Sequence, residues 1–235
     1  MITYHVNTGK TVTLVEAILQ TVRSKGSDPS FRLLICAPSN MATDLIVQRL
    51  ANHLTPSEML RILAYSRDKS SVPEDVLSHS YYSEAENGFV IPPANIVKEK
   101  KVVCITITTG GKLPFNDVKE HFTHVFIDEA GHSLEPEILS CIANTTKSSP
   151  DNPPAIVLAG DPKQLGPIIR SSTAKSFGLE KSLLERLYQR LETDQDSSIM
   201  TTLVKNYRSH RVRLKHYHIS FLGLSSKPTS CFPYF

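Results

Sequence analysis

The chain has 235 residues and a mass of 26.1 kDa, which is the size of one large domain or two small ones. Its 40% hydrophobic and 21% charged residues are typical of a folded globular protein and exclude a wholly disordered chain. No run approaches the roughly 18 apolar residues of a membrane span, so we expect no membrane partner. The formal net charge of +3 is too small to predict a nucleic-acid partner by itself.

The chain alternates between segments of helical and strand-like periodicity. Apolar residues at three- and four-residue spacing predict a helix over residues 12–22, ending near Gly26. Residues 32–37 (RLLICA) predict a strand buried on both faces, and Ser39 or Asn40 can cap the helix that follows. Further buried strands are predicted at residues 102–107, 124–127 and 155–159, an irregular crossing at 66–93, and a helix at 179–191. Short apolar strands separated by helices predict a parallel α/β sheet.

The cysteines predict a reducing compartment. The four residues Cys36, Cys104, Cys141 and Cys231 form no C-x-x-C pair and have no histidine at zinc-ligand spacing. Three of them lie in apolar runs, where buried and reduced thiols are expected. The first residues, MITYHV, have neither the basic head nor the apolar core of a signal peptide. We therefore expect a cytoplasmic or nuclear protein.

A candidate phosphate-binding loop stands directly before the first predicted helix, in Thr8, Gly9, Lys10 and Thr11. In such a loop, backbone N–H groups at a helix N-terminus hold the phosphates of a nucleotide. The lysine adds a positive charge, and the hydroxyl after it coordinates Mg²⁺. A bare G-K-T occurs often by chance, so the alternative at this point is an exposed basic helix start.

Two further motifs follow predicted buried strands. Asp128 and Glu129 come directly after the strand at 124–127, at the end where open α/β sheets bind ligands. An aspartate there can complete a Mg²⁺ shell, and the next acid can deprotonate a water that attacks a γ-phosphate. Residues 160–167 (GDPKQLGP) form a tight loop that leaves Gln164 able to hydrogen-bond a phosphate or a water. Two surface acids and an isolated turn are the alternatives, and the upstream G-K-T disfavours them.

Five segments carry a family resemblance: residues 8–20 (TGKTVTLVEAILQ), 36–40 (CAPSN), 121–137 (HFTHVFIDEAGHSLEPE), 158–167 (LAGDPKQLGP) and 205–210 (KNYRSH). They resemble the superfamily 1 RNA helicases of the up-frameshift type, and look closest to the Armitage and Moloney-leukemia-virus-10 branch. The resemblance implies a RecA-like parallel sheet flanked by helices. It implies a first RecA-like domain at residues 1–204 and the start of a second at 205–210, followed by an anomalous basic tail at 211–235.

The resemblance also implies a role for individual residues in an ATP-dependent RNA helicase. Asp128 would complete the Mg²⁺ shell with Thr11, and Glu129 would be the catalytic base. Gln164 would sense the γ-phosphate, and Arg208 would stabilise the charge of the transition state. ATP would be held by Thr8, Gly9, Lys10, Thr11 and, through stacking on the adenine, Tyr207.

The partners implied by the resemblance are single-stranded RNA or a tailed RNA duplex, together with RNA-silencing proteins. RNA would contact Pro38, Ser39, Asn40 and, less closely matched, Thr106. Such contacts go to the nucleic-acid backbone and fix position without reading sequence. The implied location is the cytoplasm, including ribonucleoprotein granules.

The chain departs from the family pattern at both ends. Tyr4 and Asn7 occupy positions where the family has glycines, and so few residues precede Tyr4 that we expect the first strand of the sheet to be largely missing. After His210 only 25 residues remain. The longer segment from residue 205 to residue 235 has six basic residues and no acidic ones. We therefore expect weak nucleotide binding and negligible unwinding by this chain in isolation.

Three alternatives stay open at the level of sequence. The chain could be a non-catalytic nucleotide- or RNA-binding fragment, or a superfamily 1 DNA helicase, because phosphate contacts scarcely distinguish RNA from DNA. A nucleotide kinase is a third alternative, disfavoured because nothing resembles an acceptor-substrate lid.

Overall fold

Seven parallel strands form one sheet in the computed structural model, which describes residues 2–4, 9–113, 118, 120–146, 153–195 and 198–203. The order across the sheet is β3-β6-β2-β7-β8-β1-β9, and a separate antiparallel hairpin joins β4 to β5. The strands are β1 (Ile2–Tyr4), β2 (Leu33–Ala37), β3 (Met59–Ile62), β4 (Tyr82–Ser83), β5 (Gly88–Phe89), β6 (Val102–Thr106), β7 (His124–Ile127), β8 (Ala155–Gly160) and β9 (Thr201–Leu203).

Helices connect the strands and cover both faces of the sheet. They are α1 (Lys10–Lys25), α2 (Asn40–Leu50), α3 (Glu74–Leu77), α4 (Ala94–Glu99), α5 (Ile107–Gly110), α6 (Glu135–Thr145), α7 (Ser172–Ser176) and α8 (Leu183–Thr193). Local sequence explains several helix starts. Ser39 caps α2 by accepting a hydrogen bond from the Ala42 N–H, and Ser182 caps α8 in the same way.

Two hydrophobic layers enclose the sheet, and alternate residues of β2 enter opposite layers. Leu33 and Ile35 pack with residues of α1 and α2, whereas Leu34 and Cys36 pack with residues of α6 and α8. All five residues of β2 are buried, as expected for a parallel strand covered on both faces. The α/β fold class predicted from the sequence is therefore confirmed.

Details of the fold agree with several sequence predictions. Strand β1 pairs in parallel with both β8 and β9. Cys36, Cys104 and Cys141 are buried free thiols, while Cys231 lies outside the described residues. Within the part of the chain that the structure describes, no helix is long and apolar enough to span a membrane.

Because every strand of the large sheet runs in the same direction, all their carboxyl ends meet at one edge, which we call the carboxyl edge. The carboxyl ends of β1, β8 and β7 are neighbours on one half of this edge. The loops that follow β2, β6 and β3 are neighbours on the other half. The sequence motifs divide between these two halves.

Candidate nucleotide-binding and nucleic-acid-binding site

The described part of the candidate phosphate loop, residues 9–11, begins the first helix. Gly9 is the N-cap of α1 and has φ 79° and ψ 24°, a left-handed conformation that glycine adopts without steric cost. Its carbonyl accepts the Thr13 N–H at 3.1 Å, which starts the helical hydrogen-bonding pattern. Lys10 and Thr11 lie in the first turn and are half-buried, and Thr8 lies outside the described residues. The N-terminus of this 16-residue helix carries the partial positive charge of the helix dipole, which favours an anion such as a phosphate.

Asp128 and Glu129 follow β7 on the same half of the carboxyl edge. Asp128 is only 4% exposed, its backbone N–H donates to the Cys36 carbonyl at 2.9 Å, and its Oδ1 accepts the Glu129 N–H at 2.9 Å. Glu129 has φ 50° and ψ 36°, a left-handed conformation that costs free energy for any residue with a Cβ. Backbone strain of this kind is concentrated at functional sites, because only the surrounding structure can maintain it. The geometry therefore supports a working role for this carboxylate.

The loop after β8 is organised by Asp161, a residue that the sequence reasoning did not single out. Its Oδ1 accepts the Lys163 N–H at 2.9 Å, and its Oδ2 accepts the Gln164 Nε2–H at 3.2 Å. The signal for this role was the Asp-Pro pair, since an aspartate side chain that bonds the backbone two residues later is a common turn device. Gln164 is thereby held near the end of β8, and the residue is half-buried.

Two glycines bring the acidic loop against the glutamine loop. A Cβ on Gly131 would lie 3.0 Å from the Asp161 carbonyl oxygen, and a Cβ on Gly160 would lie 3.1 Å from the Gly131 nitrogen and would also meet the Leu184 side chain. Real side chains rarely tolerate such contacts with backbone atoms. Glycine at both positions lets the ends of β7 and β8 approach closely enough to form one site.

The predicted RNA contacts lie together on the other half of the carboxyl edge. Strands β2 and β6 pair so that Ala37 is opposite Thr106, which places Pro38, Ser39 and Asn40 beside Thr106. The hydroxyls of Ser39 and Thr106 already have partners. Ser39 Oγ accepts the Ala42 N–H at 3.2 Å, and Thr106 Oγ1 shares a hydrogen bond of 2.8 Å with Thr109 Oγ1.

A buried ionic cluster supports this half of the edge. Arg61 in β3 has a side chain that is 0% exposed, and its Nε donates to Asp44 Oδ1 at 3.0 Å. The other oxygen of Asp44 accepts a hydrogen bond from Arg67 Nη2 at 2.7 Å. Burial lowers the pKa of Arg61 and the Asp44 carboxylate opposes that shift, so the guanidinium remains charged. The only sequence signal for the cluster was a charged residue inside an apolar strand (MLRI).

The described residues fit ATP and Mg²⁺ by the chemistry of their donors. Mg²⁺ prefers oxygen ligands and takes only one or two from a protein, with nucleotide phosphates and water supplying the rest. The Thr11 hydroxyl and the buried Asp128 carboxylate are such ligands, and the described residues contain no cluster of three or more metal-ligating side chains that would favour another metal. Tyr207 and Arg208 lie outside the described residues, so their predicted roles stay predictions.

Comparison with known proteins places these motifs in a family. Residues 3–90 and 79–172 match the profile of the family described as AAA domain. "Putative helicase MOV-10" of Gallus gallus is 43% identical over 219 residues, covering 88% of this chain and 22% of the relative. "RNA helicase Mov10l1" of Homo sapiens is 38% identical over 221 residues, covering 88% of this chain and 17% of the relative.

A third relative, "Probable RNA helicase armi" of Drosophila melanogaster, is 33% identical over 230 residues, covering 86% of this chain and 19% of the relative. The chain therefore spans about a fifth of the length of these relatives. The family profile covers most of the chain, including the phosphate loop, the acidic pair and the glutamine loop. The chain thus belongs to the AAA domain family, and its sequence is similar to helicases of the MOV-10, Mov10l1 and armi type.

Proposed function

We propose that this chain is the nucleotide-binding part of an ATP-dependent RNA helicase. The observation that carries the proposal is the placement of three motifs on adjacent strand ends. Gly9 to Thr11 follow β1, Asp161 and Gln164 follow β8, and Asp128 with Glu129 follow β7. The identity to helicases over 86–88% of the chain supports the same function.

The nucleotide half of the site supplies binding and base catalysis. The backbone N–H groups after Gly9 and the Lys10 ammonium would hold the phosphates, and Thr11 and Asp128 would hold Mg²⁺. When bound, Mg²⁺ neutralises charge on the phosphate oxygens. Glu129 accepts a proton from the water that attacks the γ-phosphate. Its backbone is held in the left-handed conformation, with its N–H donating to the Asp128 carboxylate.

Gln164 couples hydrolysis to movement in this proposal. In the structure its Nε2 donates to Asp161 Oδ2 at 3.2 Å. This hydrogen bond is long, so a stronger acceptor can take the place of Asp161. A γ-phosphate oxygen carries more negative charge than a shared carboxylate oxygen, so Gln164 exchanges Asp161 for the phosphate when ATP is bound. Loss of the γ-phosphate returns it to Asp161, which shifts the loop after β8.

The resemblance to the Armitage branch extends the proposal to its biological setting. The proposed substrate is single-stranded RNA or a tailed RNA duplex. The proposed process is RNA regulation or silencing, with RNA-silencing proteins as partners. The proposed location is the cytoplasm and its ribonucleoprotein granules. Arg208 and Tyr207 belong to the same proposal, as a stabiliser of transition-state charge and as the residue that stacks on the adenine.

The experiment that tests nucleotide binding is a thermal melt of the purified chain with and without Mg-ATP. A ligand that binds only the folded state raises the free energy of unfolding by about 2.7 kcal/mol at one hundred times its Kd. We expect ATP to raise the melting temperature of the wild type but not of Lys10→Ala. The matched control is Lys25→Ala at the exposed far end of α1, which should respond to ATP like the wild type. An equal shift in Lys10→Ala, or no shift in the wild type, contradicts the proposed site.

The choice of RNA is tested separately by fluorescence anisotropy with oligouridylate and with the DNA oligonucleotide of matching length. We expect RNA to bind more tightly and to stimulate ATP hydrolysis more strongly. Equal binding and equal stimulation by both strands would overturn the assignment to RNA and leave a general single-strand helicase.

A further inference from the structure

Arg61 is a fully buried charge on an otherwise apolar edge strand. Taking a guanidinium out of water is costly, and a buried ion pair can often be replaced by apolar residues without loss of stability. Strand β3 already packs through Met59, Leu60 and Ile62, which are buried members of the two hydrophobic layers. Packing alone therefore gives no reason for a charge at this position.

The hydrogen bonds of Arg61 show where its guanidinium is directed. Nε donates to Asp44 Oδ1 at 3.0 Å and Nη1 donates to the Ile62 carbonyl at 2.7 Å. Nη2 donates to Asn40 Oδ1 at 2.9 Å. The first two bonds fix the plane of the guanidinium, and the third reaches across to the first residue of α2. Arg61 thereby connects β3 to the loop that follows β2.

The bond to Arg61 determines which way the Asn40 side-chain amide is turned. A guanidinium has only donors, so the Asn40 atom that faces it must be the oxygen. The amide nitrogen then points away from Arg61, and in the described part of the chain it makes no hydrogen bond. Asn40 is half-buried at the carboxyl edge, next to the exposed Ser39. The buried Arg61 guanidinium therefore holds the Asn40 side chain so that its two amide N–H groups face outward.

An outward donor matches the backbone of a nucleic acid. Phosphate oxygens at neutral pH accept hydrogen bonds and donate none, so they attract an amide NH₂ and repel an amide oxygen. We propose that Arg61 is a positioning residue that holds the Asn40 amide in the orientation that donates to a backbone phosphate of bound RNA. This inference rests on the proposed function, because it assigns Asn40 to the RNA-binding half of the carboxyl edge.

Asn40→Asp is the decisive variant. Its carboxylate still accepts the hydrogen bond from Arg61, so the fold keeps its internal contact, but the outward donor becomes a negatively charged acceptor. We expect the affinity for fluorescein-labelled single-stranded oligouridylate to fall by at least about ten-fold, as for the loss of one hydrogen bond to a charged group. The melting temperature should not fall. Asn52→Asp, an exposed change of the same charge just after the other end of α2, is the control and should bind within about two-fold of wild type.

A double-mutant cycle separates positioning from simple stabilisation. We expect Arg61→Met to weaken oligouridylate binding several-fold in the wild-type background and to add little in the Asn40→Ala background, because Arg61 acts through Asn40. A general structural defect would instead add fully in both backgrounds and would also reduce the shift in melting temperature caused by Mg-ATP. Additive effects on RNA affinity therefore overturn the inference.

The remaining outcomes show whether the positioning role of Arg61 or the RNA-binding function is wrong. If the wild type binds oligouridylate and Asn40→Asp binds it equally well, the positioning role is wrong and the RNA-binding function stands. If the wild type does not bind oligouridylate, both are wrong. If Arg61→Met does not fold, the comparison of Asn40→Asp with Asn52→Asp decides the question alone.

Discussion

At the scale of single residues, the left-handed backbone of Glu129 lowers the free energy of unfolding at the proposed site. Its φ of 50° places a side-chain-bearing residue in the left-handed region. Replacing it with glycine removes the clash of the Cβ with the backbone, so we predict that Glu129→Gly raises the free energy of unfolding by about 1 kcal/mol. The same change removes the proposed catalytic base and should abolish ATP hydrolysis. Urea denaturation and a phosphate-release assay measure the two effects.

The control for Glu129→Gly is the same substitution in a helix. Glu185 lies in the first turn of α8 and has no positive φ, so Glu185→Gly should lower the free energy of unfolding by about 1 kcal/mol. A loss of stability in both variants would mean that the left-handed geometry of Glu129 carries no strain.

His121 gives the folded chain a dependence on pH. Its Nε2 is buried and has no hydrogen-bond partner among the described residues, and burial lowers the pKa of the ring to about 4, with Arg32 and Lys98 adding to the shift. A histidine in the unfolded chain titrates near pH 6.5. As the pH falls from about 6.5 towards 4, the unfolded chain takes up a proton that the folded chain does not, so the free energy of unfolding should fall. The lowered pKa of His124 acts in the same direction.

The measurement for this prediction is the urea midpoint at neutral pH and at about pH 5. We expect His121→Gln to reduce the loss of stability between these two conditions. His53→Gln, at an exposed position after α2, is the control and should keep the wild-type difference. An unchanged difference in His121→Gln would contradict the prediction.

At the scale of elements, the contact between the loops after β7 and β8 depends on the absence of a side chain at Gly160. A Cβ there would approach the nitrogens of Gly131 and Ala130 at 3.1 and 3.3 Å. We predict that Gly160→Ala lowers the free energy of unfolding by about 1–3 kcal/mol, as other overpacked positions do. It should also weaken ATP binding, because the acidic pair moves away from the glutamine loop. Denaturation and the ATP-induced melting shift measure these effects.

Gly111→Ala is the matched control for Gly160→Ala. A Cβ at Gly111 has its nearest neighbour at 3.5 Å, which is ordinary van der Waals contact, and Gly111 has φ −65°. The variant should therefore be as stable as the wild type within about 0.5 kcal/mol. If both alanine variants are equally stable, the close approach of the two loops is not a constraint on the fold.

The elements that could be predicted from the sequence are those with an unbroken local pattern. Strands β2, β6, β7 and β8 were predicted within one or two residues because each is a continuous apolar run, as parallel strands in the interior of a sheet are. Strand β3 was not predicted, since Arg61 interrupts its apolar run and its charge is neutralised by Asp44 from another element. The contact of Arg61 with Asn40 joins residues 21 positions apart, so no periodicity reveals it. The site motifs were predictable because each is contiguous in the chain.

At the scale of the whole molecule, the two halves of the carboxyl edge are separate but are connected by a backbone hydrogen bond. Between β1, which precedes the phosphate loop in the sequence, and β2, which precedes Asn40, lie β8 and β7. Three strand spacings correspond to about 14 Å, so the proposed ATP and RNA sites use different strand ends. The Asp128 N–H bonded to the Cys36 carbonyl at 2.9 Å links the two halves through neighbouring backbones.

This separation predicts two variants with opposite defects. Because the sites share no side chain, Lys10→Ala should lose the ATP-induced rise in melting temperature while its oligouridylate affinity stays within about two-fold of wild type. Asn40→Asp should lose oligouridylate affinity while keeping the ATP-induced rise. Melting with Mg-ATP and anisotropy with labelled oligouridylate, each performed on both variants, measure the four quantities. Loss of both activities in either variant would mean that the two halves form a single interdependent site.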